Sequence, residues 1–158
     1  MDKQANVFAT RDSVEQVEEG NFFSPKFDVN GLIPVVTTEA ESEIILMLGY
    51  MNSEALRLTI ETGEAHYWSR SRNTLWRKGE TSGLVQRIVE LKVDDDQDAL
   101  WLRVKVEGTG ASCHVGYRSC FYRSLPLGDT KNKLVFTENE KSFDPTEVYG
   151  DAPNPTQL

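Results

Sequence analysis

Four carboxylates fall within five positions in Asp94-Asp95-Asp96-Gln97-Asp98. At that density their mutual repulsion must be offset by solvent or by a cation. Hard oxygen ligands suit Mg2+, Ca2+ or Mn2+. On an extended backbone Asp94, Asp96 and Asp98 would share one side, and Asp95 would point to the other. The simpler alternative is a solvated acidic turn, the usual fate of a charge run. An EF-hand is excluded, because counting from Asp94 puts Ala99 where glycine is needed and Lys105 where the glutamate belongs.

A second cluster is Cys113-His114-Val115-Gly116-Tyr117-Arg118-Ser119-Cys120. Two thiols and an imidazole this close can act as ligands to Zn2+. The spacing is neither a C-x-x-C knuckle nor an H-E-x-x-H helix. Two buried cysteines packing as small hydrophobes would explain the same residues without a metal.

The third cluster runs from His66 to Gly83. In it Arg70, Arg72, Arg77 and Lys78 interleave with Trp68, Trp76, Ser69, Ser71, Thr81 and Ser82. In a chain of net charge -8 this is the local basic patch that a phosphate would seek. Arginine grips phosphate bidentately, hydroxyls add hydrogen bonds, and an indole can stack on a base. The competing reading is an exposed basic hairpin with its tryptophans in the core.

These residues need a scaffold. Leu32–Val36 and Glu43–Leu48 read as strands, and the unbroken apolar run Ile44–Leu48 predicts a central strand buried on both faces. Asn52 is an N-cap for a helix through Glu54, Ala55, Leu56 and Ile60 that stops at Gly63. His66-Tyr67-Trp68 resumes as strand. Val89, Leu91 and Val93 alternate with Glu90 and Lys92; Leu100, Leu102, Val104 and Val106 alternate with Trp101, Arg103, Lys105 and Glu107. The acidic run is then the tight turn between two antiparallel neighbours. The expectation is one compact α+β domain, a mostly antiparallel sheet with one or two short helices. Residues 25–136 form that domain, after a polar extension over 1–24 that holds a short helix ending at Gly20. The tail over 137–158 carries Pro145, Pro153 and Pro155 and is expected to be extended or disordered.

The 158 residues suffice to bury a core without disulfides. Hydrophobic residues make up 39% and charged residues 27%, as in ordinary globular proteins. The acidic balance argues against a nucleic-acid binder. No apolar run is long enough for a membrane span, and the N-terminus lacks the pattern of a signal peptide, so a cytoplasmic location is expected.

Taken together, Trp68–Arg72, Leu75–Gly83, Asp94–Asp98 and Cys113–Phe121 resemble phosphoribosyl-AMP cyclohydrolase, in order and in spacing, over roughly Gly31 to Arg123. The resemblance implies hydrolysis of the N1–C6 bond of the adenine ring of phosphoribosyl-AMP, a step in histidine biosynthesis. It also implies an intertwined homodimer with shared active sites and with Zn2+ and Mg2+ as cofactors. By the same resemblance Cys113 and Cys120 bind zinc, Asp94, Asp96 and Asp98 bind magnesium, and His114 is the acid or base. Trp68, Ser69, Arg70, Arg72, Trp76, Lys78, Thr81 and Ser82 would contact the substrate. Glu80 would either do the same, support the structure or assist proton transfer. The family often has Asp-Cys-Asp where this chain has Asp94-Asp95-Asp96, so a third thiolate is missing. Asp95 can replace it, since zinc accepts carboxylate oxygen; alternatively His114 becomes a ligand. Two alternatives keep the metal motifs: a zinc hydrolase of another purine nucleotide, and an inactive metal-binding module. The short, Pro-rich segment after Arg123 points to a monofunctional chain.

Overall fold

Alternation decides the centre of the molecule. In Leu100–Val106 (β6), Leu100, Leu102 and Val104 are buried, while Trp101, Arg103 and Lys105 lie on the other face. β6 pairs antiparallel with Gln86–Val93 (β5) across the acidic turn and parallel with Ile33–Glu39 (β1); β1 pairs antiparallel with Ile45–Met51 (β2). The four-stranded order is β2-β1-β6-β5. This computed structural model describes residues 8–128 and 131–158.

The helix Ser53–Thr62 (α2) starts where the sequence predicts. Asn52 Oδ1 accepts from Ala55 N at 2.8 Å, and Gly63 closes the helix in the left-handed region at φ 69°. Ala55 and Leu56 of α2 join Ile33, Val35, Met51, Leu102 and Val104 in one apolar core. Tyr67 belongs to it too, from the hairpin His66–Ser69 (β3) and Thr74–Arg77 (β4). The result is the expected α+β class, with mostly antiparallel pairing.

Two strand expectations need correction. Ile44–Leu48 is not a central strand: β2 is the sheet edge, and Ile45 and Leu48 are 48% and 53% exposed. An apolar run marks burial only if something covers both faces, and here only one face meets the core. In β5 a bulge between Ile88 and Glu90 breaks the alternation and leaves Val89 60% exposed.

The described segments before and after the sheet pack on this body. The short helix Val14–Glu19 (α1) is capped by Ser13. Gln97, at the tip of the β5–β6 turn with φ 57°, is buried there. Its Oε1 accepts from Ser24 N at 2.7 Å, and its Nε2 donates to the Val17 carbonyl at 3.0 Å. Arg123–Ser124 (β7) and Val135–Phe136 (β8) form a small ladder. Where the sequence predicts an extended tail, Pro145–Tyr149 (α3) forms a third short helix.

A buried polar chain crosses beneath the sheet. Tyr67 Oη donates to Gln86 Oε1 at 2.6 Å and takes the Thr37 hydroxyl at 2.8 Å. Gln86 Nε2 donates onward to Ser112 Oγ at 3.1 Å. Burial holds the Tyr67 phenol well above its ordinary range, against the Thr37 hydrogen bond, which lowers it. Gln86→Leu should destabilise the fold by about 1–3 kcal/mol, since it removes the acceptor of the buried Tyr67 phenol and the donor to the buried Ser112 hydroxyl. Urea unfolding measures this, and a loss below ~0.5 kcal/mol, the level of a surface change, would refute the account.

Candidate active site

Ser112 is where the buried chain meets the chemistry. Beyond Gln86, Lys78 Nζ donates to the Ser112 carbonyl at 2.5 Å, so both sides of this residue are pinned. The loop that follows closes on itself: Cys113 N donates to the Tyr117 carbonyl at 3.1 Å, and Gly116 N to the Cys113 carbonyl at 3.0 Å. Cys120 N donates to the Leu46 carbonyl at 2.7 Å, which ties the loop's far end to β2. These anchors bring Cys113 and Cys120 together, their thiols within hydrogen-bonding reach.

The two thiols perturb each other in opposite directions. Hydrogen bonding from Cys120 is the main reason the Cys113 thiol falls from 9.0 to about 6, helped by the Val115 amide and the Lys78 charge and opposed by burial. The same bond pushes Cys120 far up. His114 lies beside them. Burial first, then the nearby Lys78 charge, lowers its pKa, so the imidazole is neutral at neutral pH. Its Nε2 is buried and has no hydrogen-bond partner among the described residues.

His114 and Cys120 border a cavity of about 540 Å3, a size suited to a small organic ligand. Every candidate substrate-binding residue lines it: Trp68, Ser69, Arg70, Arg72, Trp76, Lys78, Glu80, Thr81 and Ser82. The hairpin β3–β4 supplies the first five, and the loop after β4 the rest. Gly79 makes that loop possible: at φ 88° a Cβ would sit 2.4 Å from Val85 N. The basic patch divides in two. Arg77 pairs with Glu64 at 3.0 Å, whereas Arg70 and Arg72 form no ion pair among the described residues. Arg70 instead lies 4.0 Å over the Tyr50 ring, and Arg72 5.7 Å from that of Trp76. Lys78 is almost wholly buried, and burial lowers its pKa. A buried cation and two unpaired guanidiniums around one cavity suit a phosphorylated ligand.

The acidic cluster lies elsewhere. Asp94, Asp95 and Asp96 bring ligand oxygens within 4.8 Å of one another, a spacing a hard divalent ion can bridge. The expected alternation fails here, because residues 94–98 turn rather than extend: Asp94 Oδ1 accepts from the amides of Asp98 and Ala99. Asp95 is therefore gathered with its neighbours instead of pointing away. Asp98 hydrogen-bonds to Asp94 and Asp96, which raises its pKa to about 6.

Within one chain the two clusters do not meet. Cys113 follows the residue bonded to Gln86 at the start of β5, and the aspartates follow its end at Val93. That separation is roughly 23 Å at about 3.3 Å per residue. Among the described residues no third His, Cys, Asp or Glu joins Cys113 and Cys120. The donor set itself suits zinc, which takes thiolate sulfur, and Cys113 loses its proton readily. Sequence reasoning missed Tyr67, Gln86 and Ser112 as supports of this site. Only a strand Gln inside an apolar alternation hinted at one of them.

The site's parts have counterparts in known proteins. The family model described as phosphoribosyl-AMP cyclohydrolase matches residues 47–122. A phosphoribosyl-AMP cyclohydrolase of Mesorhizobium japonicum is 58% identical over 133 residues, covering 84% of this chain and 87% of that protein. One from Bradyrhizobium diazoefficiens is 55% identical over 85% of this chain and 94% of its own length. Another from Nitrobacter winogradskyi is 53% identical over 87% and 94%. The chain belongs to the phosphoribosyl-AMP cyclohydrolase family.

The paired thiols carry a pH signature. The folded state releases from Cys113 a proton that the unfolded chain keeps between pH 9.0 and about 6. The stabilisation is complete above the unfolded value and fades as pH falls through the folded one. In metal-free protein, thiolate absorbance should rise by one thiol around pH 6, and Cys120→Ala should move that midpoint upward. A parent midpoint near the ordinary 9.0 would refute the pairing.

Proposed function

We propose that this chain hydrolyses the N1–C6 bond of the adenine ring of phosphoribosyl-AMP, giving the ring-opened formimino aminoimidazole carboxamide ribotide of histidine biosynthesis. The observation that carries the reading is the cavity where Arg70, Arg72 and Lys78 meet two indoles, His114 and Cys120. Family membership at more than half identity supports it. As a biosynthetic enzyme of small metabolites, it would work in the cytoplasm.

The chain's residues divide the labour. Arg70 and Arg72 hold phosphate oxygens, and Trp68 or Trp76 offers a face to the base. Thr81 and Ser82 add hydroxyl contacts to the ribose phosphate. Water adds to C6, the N1–C6 electron pair goes to N1, and C6 becomes the carboxamide carbon. His114, neutral at rest, can take the water's proton and return one to N1. Zinc held by Cys113, Cys120 and Asp95 would make the attacking water more acidic. Magnesium on Asp94, Asp96 and Asp98 would offset phosphate charge.

Because the thiols and aspartates sit at opposite ends of β5, we read the complete site as shared between two copies of the chain. The exposed Ile45 and Leu48 at the β2 edge, with Leu48 at the cavity itself, support a homodimer.

Turnover of phosphoribosyl-AMP by purified protein, followed by ultraviolet absorbance, tests the activity. Ring opening should be abolished by a chelator and restored by added Zn2+ with Mg2+. Silence from a folded, metal-supplied protein would overturn the reading.

Complementation tests the shared site. Asp95→Ala and Cys113→Ala should each be inactive, yet mixing them after dissociation should recover about a quarter of parent activity, from the one intact site of each mixed dimer. No recovery would refute the sharing, and an active Asp95→Ala would remove that residue from the site.

A further inference from the structure

The cavity is basic, and one side chain in it runs against that charge. Among the described residues Glu80 is the one carboxylate that lines it, beside Arg70, Arg72, Arg77 and Lys78. An acid in a pocket for phosphates costs affinity by repulsion unless it serves another part of the ligand.

The backbone that carries Glu80 is fixed. Gly79 packs too closely on Leu84 and Val85 to bear a side chain. Glu80 N donates to the Arg77 carbonyl at 3.1 Å, and Gly83 N to that of Gly79 at 2.8 Å. The neighbouring cations have partners of their own: Arg77 holds Glu64 at 3.0 Å, and Lys78 Nζ donates to the Ser112 carbonyl at 2.5 Å. The Glu80 carboxylate is left exposed, with no hydrogen bond or ion pair among the described residues.

The two indoles divide in the same way. Trp76 already meets Lys78 at 5.3 Å and Arg72 at 5.7 Å from its ring, whereas Trp68 has no ring or cation contact among the described residues. Tyr149, Pro153 and Pro155 line the same cavity. Their segment is held where Ser142 N donates to the Gly116 carbonyl at 2.7 Å. Glycine permits that approach, since at φ 108° a Cβ on Gly116 would lie 2.6 Å from the Phe143 carbonyl oxygen. An unengaged carboxylate, an unengaged indole and an apolar wall suit a flat organic cation.

An adenine substituted at N1 is such a cation. At neutral pH it keeps a proton on its exocyclic nitrogen, and N1, C6 and N6 form a delocalised amidinium. Ordinary adenine is neutral there. The amidinium offers N–H donors to a carboxylate and a positive face to an indole.

We propose that Glu80 is a specificity-determining residue: its carboxylate accepts from the N6 amidinium of an N1-substituted adenine, while Trp68 takes the face of the ring. This rests on the cyclohydrolase reading above and deepens it. The pocket knows its substrate by the charge that N1 substitution creates, and so discriminates against neutral adenine nucleotides. Arg70 and Arg72 remain for the phosphates.

The test compares AMP with 1-methyl-AMP, nearly equal in size, by calorimetric binding to the full-length, metal-loaded protein near neutral pH. The parent should bind 1-methyl-AMP roughly tenfold more tightly, the worth of one charge-assisted hydrogen bond. Glu80→Gln should remove that preference and hold AMP affinity within about twofold, as an exposed isosteric change allows. In the parent the preference should also fade as pH rises and the methylated ring loses its proton. In turnover of phosphoribosyl-AMP the variant should raise KM by a similar factor, with kcat within about threefold. No preference in the parent, a preference that survives in Glu80→Gln, or equal weakening of both nucleotides would overturn the proposal. So would a loss confined to kcat, the mark of a proton-transfer group. A parent that prefers 1-methyl-AMP through Glu80 but opens no ring upholds the charge recognition, and it is the activity reading that then fails.

Discussion

The hydrogen bonds made to Ser112 are the constraint on which the rest depends. Gln86 Nε2 reaches its hydroxyl at 3.1 Å and Lys78 Nζ its carbonyl at 2.5 Å. One donor belongs to the central sheet and the other to the loop behind the basic hairpin. A single residue thereby sets the loop bearing Cys113 and His114 relative to both the core and the substrate-facing residues. Since all three partners are buried, loss of any one strands the others without water to replace it. The same arrangement puts a buried cation beside the thiols, which stabilises the thiolate of Cys113 and disfavours a protonated His114.

Sheet geometry then decides how the chemistry is distributed. β5 begins near the thiol loop and ends at the acidic turn, so pairing β5 with β6 carries the aspartates to the far end of the molecule. The N-terminal segment braces that end: Gln97 takes the Ser24 amide, and Arg11 donates to the Asp96 carbonyl at 2.8 Å. The acidic turn is thus backed by protein rather than left as a loose loop. The C-terminal segment does the corresponding work at the other end. Among the described residues, the segments flanking the sheet on both sides serve as supports for charged clusters.

Much of this was legible beforehand, and the failures share a cause. The Asn52 cap, the Gly63 stop and the alternation of Leu100, Leu102 and Val104 are local signals, and each is met by the structure. The run Ile44–Leu48 misled because apolar composition reports how much burial a strand could accept, not how many neighbours it receives. Asp95 misled because alternation presumes an extended backbone, and the amide contacts of Asp94 turn the chain instead. The tail's prolines signalled an extended segment; no local rule could place Ser142 and Phe143, just before α3, against a loop whose only marker was Gly116.

By itself, the sequence determined the inventory: which residues carry thiol, imidazole, carboxylate and guanidinium chemistry, and which short segments bend or alternate. Those properties depend on residue type and on neighbours a few positions away. Only the tertiary structure decided the company they keep. Among the described residues it locked Arg77 to Glu64 while leaving Arg70 and Arg72 without an ion pair, and it buried Lys78 against Ser112. It also held the thiols and the aspartates a strand's length apart. Contacts between residues distant along the chain follow from how the faces of the sheet are covered and how buried polar groups find partners. Both conditions are met only when the whole chain has closed around its core.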